Sequence, residues 1–166
     1  MDAMILGMTL AQFTQVHVAI SLVGIAAGFL VIFGMMAAKK MVLWTELFLI
    51  TTALTSITGF MFPFHGVTPG IVLGILSMIV LLLAVVARYG GKLGGAWRGT
   101  YVVTAVLAQF FNFFALVVQS FEKIPGLHAL APTGQEMPLK VAQVLTLVLF
   151  IVLGVVAYRR FRVKAD

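Results

Sequence analysis

The stretch Ile79-Val80-Leu81-Leu82-Leu83-Ala84-Val85-Val86 decides the fold class of this chain. Its side chains are all apolar, without the alternation of polar and apolar residues that a strand of a membrane β-barrel shows. It lies in a longer apolar segment, from about 69 to 87, that is long enough as a helix to cross a hydrocarbon core of about 30 Å. Because a segment in lipid must satisfy its own backbone hydrogen bonds, we predict a transmembrane helix.

Four more stretches of similar length have the same character, and the composition of the whole chain agrees with them. They run from about 13–38, 41–62, 101–121 and 138–158. The chain is 62% hydrophobic and 10% charged, whereas soluble domains are roughly 45–50% apolar and about 25% charged. We therefore predict an all-α, polytopic membrane helix bundle with about five transmembrane helices, forming a single membrane domain over 1–166.

The basic residues predict the orientation of the bundle, because lysine and arginine are enriched in cytoplasmic loops. Two of the eleven, Lys123 and Lys140, fall on one side, beside Asp2, Glu122 and Glu136. The other nine fall on the opposite side: Lys39, Lys40, Arg88, Lys92, Arg98, Arg159, Arg160, Arg162 and Lys164. This predicts a cytoplasmic C-terminus and an outer N-terminus, with the first span retained rather than cleaved. The net charge of +6 is then explained by topology and by attraction to anionic lipid headgroups. Because the positive charge has this explanation, we expect no nucleic-acid partner.

Small residues predict where the helices approach one another. Gly24 and Gly28 form a GxxxG pair in the first span, and Gly70 and Gly74 form another in the third. His17 shares a helical face with the first pair, so its side chain should point toward a neighbouring helix. Between the last two spans, Thr133 and Glu136 have the spacing of a capping box that leads into the fifth span.

Polar residues inside the spans are the candidate functional residues. Each has two readings: a packing contact between helices, or the lining of a permeation path or ligand cavity. Glu46, the acidic residue within a span, could also pair with basic residues at the interface or carry a proton or cation. The full set is Glu46, Thr51, Thr55, Gln109, Asn112, Gln119 and Gln143.

Three histidines, His17, His65 and His128, fall on the outer side in the predicted topology. Imidazole binds zinc, copper, nickel and iron, so a shared metal ion or a haem is a candidate cofactor. The spacing lacks an HxH or HxxxH pair that would fix the geometry of a site. The alternative is that His17 is a hydrogen-bonded packing residue and that the other two are solvated.

Three segments resemble an uncharacterised family of small multispanning bacterial membrane proteins. They are Thr51–Phe60 with Phe62-Pro63-Phe64, Trp97-Arg98 with Tyr101-Val102-Val103, and Ala131–Glu136. The resemblance covers most of the chain and implies a bacterial inner membrane. It implies no activity, so no functional residue is taken from it.

The sequence favours a non-enzymatic function. It has no nucleotide, metalloprotease or catalytic-triad motif, and the absence of cysteine excludes disulfides and iron–sulfur clusters. We predict a small transport or channel protein, or a subunit of a larger membrane complex, with the lipid bilayer and a homo-oligomer or complex as its partners. The alternative is an outer-face protein that binds a metal, haem or quinone.

Overall fold

A computed structural model describes residues 4–63, 66 and 68–162 of the chain. Its elements, in chain order, are β1 (Met4–Ile5), β2 (Met8–Thr9), α1 (Leu10–Met36), α2 (Val42–Phe60), α3 (Pro69–Val85), a π-helical turn (Val86–Gly90), α4 (Ala96–Lys123), α5 (Pro125–His128) and α6 (Met137–Arg160). Strands β1 and β2 form a small antiparallel hairpin that the sequence did not predict. The all-α prediction is otherwise confirmed.

Five of these elements are long and apolar enough to cross a membrane, as predicted. They are α1, α2, α3 with its π-helical turn, α4 and α6. The largest difference in bounds is the start of α4, which begins at Ala96 rather than at about 101. An apolar stretch ends where polar residues begin, but a helix continues through them when it emerges from lipid.

The first four long helices form a closed ring. Each packs against the next, and α4 packs back against α1, while α6 lies outside the ring against α1 and α4. Because consecutive helices alternate in direction, the bundle has two distinct ends. We call the end that holds Lys39, Arg88 and Arg98 the basic end, and the end that holds Leu10 and Lys123 the cavity end.

The tight core lies in the basic half of the ring. Ile32, Phe48 and Tyr101 are each 1% exposed there. The outer surface, in contrast, is apolar: Leu145, Val148 and Val152 on α6 are all more than half exposed. A continuous apolar surface of this kind is solvated by lipid, and it supports the membrane prediction.

Two of the helices, α1 and α3, start with threonine caps. Thr9 and Gln12 form a capping box at the start of α1, and Thr68 caps α3.

The capping box predicted at Thr133 is wrong in its position. Glu136 does accept hydrogen bonds from the Thr133 backbone N–H and hydroxyl, at 3.1 and 2.7 Å, but α6 begins only after Glu136. The pair therefore holds the preceding turn, and Pro138 occupies the first turn of α6, where its missing N–H is harmless.

Candidate functional site: a cavity inside the ring of helices

A cavity of about 670 Å³ lies among α1, α2, α3 and α4. This volume is within the range of roughly 300–1,000 Å³ that is usual for small-molecule sites. Its mouth is at the cavity end of the bundle, beside Leu10 and Lys123. Its floor is formed by the lining residues farthest from that end on each helix: Ile25, Thr55, Ser56, Ser77, Phe111 and Asn112.

The floor is deep in the apolar part of the bundle. Both Asn112 and Lys123 line the cavity from α4, and the eleven-residue separation corresponds to about 16 Å along a helix axis. This depth is about half of a hydrocarbon core of roughly 30 Å. On α4, the polar floor therefore lies about half the thickness of a hydrocarbon core from the mouth.

His17 lies in the wall of the cavity, where its Nδ1 is 2.7 Å from the hydroxyl oxygen of Thr58 on α2. The Thr58 hydroxyl donates its single proton to the carbonyl of Leu54, at 2.7 Å. It must therefore accept from His17, which assigns the proton to Nδ1 and leaves Nε2 as an acceptor. The prediction that His17 faces a neighbouring helix is confirmed.

Two hydroxyl groups at the floor have no hydrogen-bond partner. They are Thr55 Oγ1 and Ser77 Oγ, and the Ser77 side chain is only 3% exposed. In contrast, Thr51 and Thr58 donate to carbonyls four residues earlier, at 2.6 and 2.7 Å. A buried hydroxyl that is left unpaired costs about 1–3 kcal/mol. A polar group of a bound molecule that paired with these two hydroxyls would remove that cost.

Two amides of α4 close the bundle at and below the floor. Asn112 donates from Nδ2 to the hydroxyl of Thr52, at 3.0 Å. Gln109, fully buried one turn farther toward the basic end, donates from Nε2 to the carbonyl of Ile25, at 2.8 Å. These bonds tie α4 to α2 and to α1. Asn112 therefore both lines the cavity and joins two helices, whereas Gln109 only joins two helices.

The remaining polar candidates divide between the cavity and the packed regions. Gln119 is exposed and lines the cavity. Thr51 is buried against Gly24, so it is a packing residue. Glu46 is exposed and Gln143 is half-buried on α6, and neither lines the cavity. Both roles predicted for the polar residues therefore occur on α2: Thr51 is a packing contact, and Thr55 lines the cavity.

The described part of the chain contains no site that the three histidines share. His17 is in the cavity wall, and His128 is exposed at the end of α5. His65 lies outside the described residues. Among residues 4–63, 66 and 68–162, no group of three His, Asp or Glu side chains could hold a metal ion. The shared metal or haem site stays a prediction.

Sequence reasoning missed Ser77, which completes the floor. Its signal is visible afterwards: Ser77 is the one hydroxyl residue in the long apolar run from Pro69 to Ala87. A lone serine in such a run is compatible with many packing arrangements. Its role becomes apparent only when α3 is placed opposite Thr55.

Comparison with known proteins finds no matching family model, no similar curated protein and no similar solved structure. The cavity and the residues around it therefore carry the functional argument.

Proposed function

We propose that this chain is a non-enzymatic protein of a bacterial inner membrane that takes up a small ligand in the cavity, as a transport protein does. The observation that carries the proposal is the cavity of about 670 Å³ with its polar floor. Spans that only pack together would fill this volume with side chains, because protein interiors are close-packed. The proposed location in a bacterial inner membrane rests on the resemblance of three segments to small bacterial membrane proteins.

The cavity end faces the outside in this proposal. The basic end holds Lys39, Arg88 and Arg98, and the positive-inside rule puts such an end in the cytoplasm. A ligand would then reach the cavity from the outer side of the membrane or from its outer leaflet. The N-terminus would be outside and the C-terminus cytoplasmic.

A carrier-like binding step fits the geometry better than an open channel. Below the floor, Gln109 and Phe48 pack against Gly28 so closely that a Cβ there would overlap both side chains. Tyr101, 1% exposed, continues the packed region toward the basic end. The cavity therefore does not continue as a water-filled path through this conformation.

Site-directed cysteine labelling tests the proposal, because the chain contains no cysteine of its own. Ser21→Cys and Leu116→Cys place a thiol in the cavity wall, and Thr104→Cys places one in the packed basic half as a control. A small charged thiol reagent, added to intact cells, should label the two cavity variants and leave the control unlabelled. Equal labelling of all three, or labelling of none even after permeabilisation, would remove the basis for an accessible cavity.

The same reagent measures the orientation independently. Gln135→Cys, in the turn before α6, should react in intact cells, and Lys92→Cys, between α3 and α4, should react only after permeabilisation. The reverse pattern would invert the bundle, and the cavity would then open to the cytoplasm.

A further inference from the structure

We infer that the cavity binds an uncharged, largely apolar molecule through a carbonyl oxygen held at the floor by the hydroxyls of Thr55 and Ser77. This inference rests on the proposed function, since it names the ligand chemistry of the same cavity. A quinone and a fatty-acyl ester both present that chemistry. Three features of the cavity support the inference: the donors at the floor, the charge of the lining, and the apolar walls.

The floor offers hydrogen-bond donors. A helical serine or threonine in a membrane usually donates to the carbonyl of the preceding turn, as Thr58 does. Thr55 and Ser77 make no such bond, and both line the cavity from facing helices. Both oxygens are buried in this conformation, so the inferred binding requires a change of χ1 rotamer that turns each oxygen toward the bound molecule. A carbonyl oxygen has two lone pairs and can accept from both.

The lining selects for a molecule without charge. Among the described residues around the cavity, Lys123 at the mouth is the single Lys, Arg, Asp or Glu side chain. Nothing at the floor would compensate a carboxylate or an ammonium group, and an uncompensated charge at that depth of a membrane is strongly unfavourable. A neutral acceptor satisfies the two hydroxyls without this penalty.

The walls fit an apolar body. Phe60, Phe62 and Ile71 line the cavity between the floor and the mouth, and Phe111 lines it at the floor. His17 stands in the same wall with its ring nearly perpendicular to the Phe62 ring, and the ring centroids are 5.2 Å apart. Its Nε2 remains an acceptor, so a second polar group of the ligand, if it is a hydroxyl, has a partner there.

The test is binding of three probes to the purified full chain in lipid nanodiscs. The probes are a short-chain alkyl benzoquinone, a monoacylglycerol and an alkane of matching chain length. Ser77→Ala and Thr55→Val each remove one floor hydroxyl, and Thr146→Val is the matched control. The Thr146 hydroxyl is also buried but donates to the Ala142 carbonyl, at 2.8 Å, and does not line the cavity.

The expected result is tighter binding of a carbonyl probe than of the alkane, with affinity reduced roughly two- to tenfold by each floor variant, the range for one lost hydrogen bond. Thr146→Val should bind like the parent chain. The floor variants should also unfold at the same or a higher temperature, because each removes an unpaired buried hydroxyl. This opposition between affinity and stability separates a binding role from a structural one.

The outcomes distinguish the inference from the proposed function. If the alkane binds as tightly as the carbonyl probes, or the floor variants bind like the parent, the inference is wrong although the cavity binds ligands. If no probe binds although Ser21→Cys is labelled, the inference is also overturned, while an accessible cavity stands. The benzoquinone and the monoacylglycerol arms identify which source of the carbonyl is preferred.

Discussion

The side-chain oxygen of Gln109 lies directly against the Cα of Gly28, where α4 meets α1 below the cavity floor. A Cβ at Gly28 would overlap Gln109 Oε1 and would come within 2.9 Å of the Phe48 ring. Gln109 is fully buried, and its Nε2 donates to the carbonyl of Ile25. The second glycine of the GxxxG pair thus makes room for a polar side chain rather than for another helix backbone.

Gly28→Ala should therefore destabilise the fold by about 1–3 kcal/mol, the usual range for overpacking. Gln109→Ala opens the space that the new methyl group needs, so the double variant should lose less stability than the two single losses summed. Denaturant unfolding in detergent micelles measures all three variants. Gly126→Ala is the control, since a Cβ there meets no atom within 4 Å. Additive losses would mean that the two residues do not interact.

Arg98 fastens the end of α6 to the start of α4. Its Nη1 donates to the carbonyls of Tyr158 and Phe161, at 2.9 and 2.7 Å, and its guanidinium lies 5.1 Å from the centre of the Tyr158 ring. Arg98→Ala should lower the free energy of unfolding by about 1–3 kcal/mol, because hydrogen bonds from a charged donor are stronger than neutral ones.

Arg98→Lys should recover only part of that loss, since an ammonium group cannot stack on the Tyr158 ring as the planar guanidinium does. The same unfolding assay applies. Arg159→Lys, a basic substitution near the same end of the bundle, is the control. If the lysine and alanine variants of Arg98 were as stable as the parent chain, the contacts of Arg98 with Tyr158 and Phe161 would not stabilise the fold.

Ala38 ends α1 in a conformation that favours glycine. Its φ is +55°, and the Ala38 and Lys39 N–H groups bond to Met35 and Gly34 carbonyls in the pattern of a Schellman motif. A left-handed conformation costs a residue with a Cβ about 1–2 kcal/mol. Ala38→Gly should therefore raise the unfolding temperature, and Ala38→Val should lower it. Equal temperatures for the three chains would contradict the strain.

The turn before α6 should loosen in acid. The hydrogen bond from the Thr133 hydroxyl lowers the pKa of the exposed Glu136 carboxyl below its ordinary value. A carboxyl with a depressed folded-state pKa stabilises the fold at pH values above its unfolded pKa. That contribution is lost as the pH falls from about 4.3, the reference value for glutamate, through the lower folded-state pKa.

The protection of the Thr133 and Gln135 amides from hydrogen exchange, measured relative to the intrinsic exchange rate at each pH, should therefore fall across this acidic range. Glu136→Gln should be less protected at neutral pH and should lose this change in protection. Glu122→Gln, an exposed acidic residue near the end of α4, is the control and should leave it unchanged. Protection that does not change with pH in the parent chain would argue against the carboxylate holding this turn.

The apolar pattern was sufficient for the fold but not for the cavity. Each long apolar run became a helix because lipid leaves the backbone no other arrangement. Helix spacing also predicted correctly that His17 and Gly24 face a neighbouring helix. The helix bounds were less accurate, because α4 continues past the apolar run to Ala96.

The cavity depends on which helices become neighbours, and spacing within one helix does not contain that information. Thr51 and Thr55 share a face of α2, yet Thr51 packs on Gly24 while Thr55 lies at the floor. The difference arises because a glycine of α1 approaches one of them and the ring of helices widens beside the other. Ser77 gained its role in the same way, from the position of α3.

The tautomer of His17 follows from the hydrogen bonds of Thr58 and can be measured. If Thr58 donates to Leu54, the imidazole proton is on Nδ1. Nitrogen chemical shifts of ¹⁵N-labelled histidine, in a chain where His65→Asn and His128→Asn leave only His17, should show a neutral ring protonated at Nδ1. Thr58→Ser keeps the acceptor and should preserve the spectrum. Thr58→Val removes it, which should destabilise the fold by about 1 kcal/mol and shift the proton toward Nε2. A proton on Nε2 in the parent chain would instead leave Nδ1 as the acceptor, and the acceptor assigned here to the cavity wall would be lost.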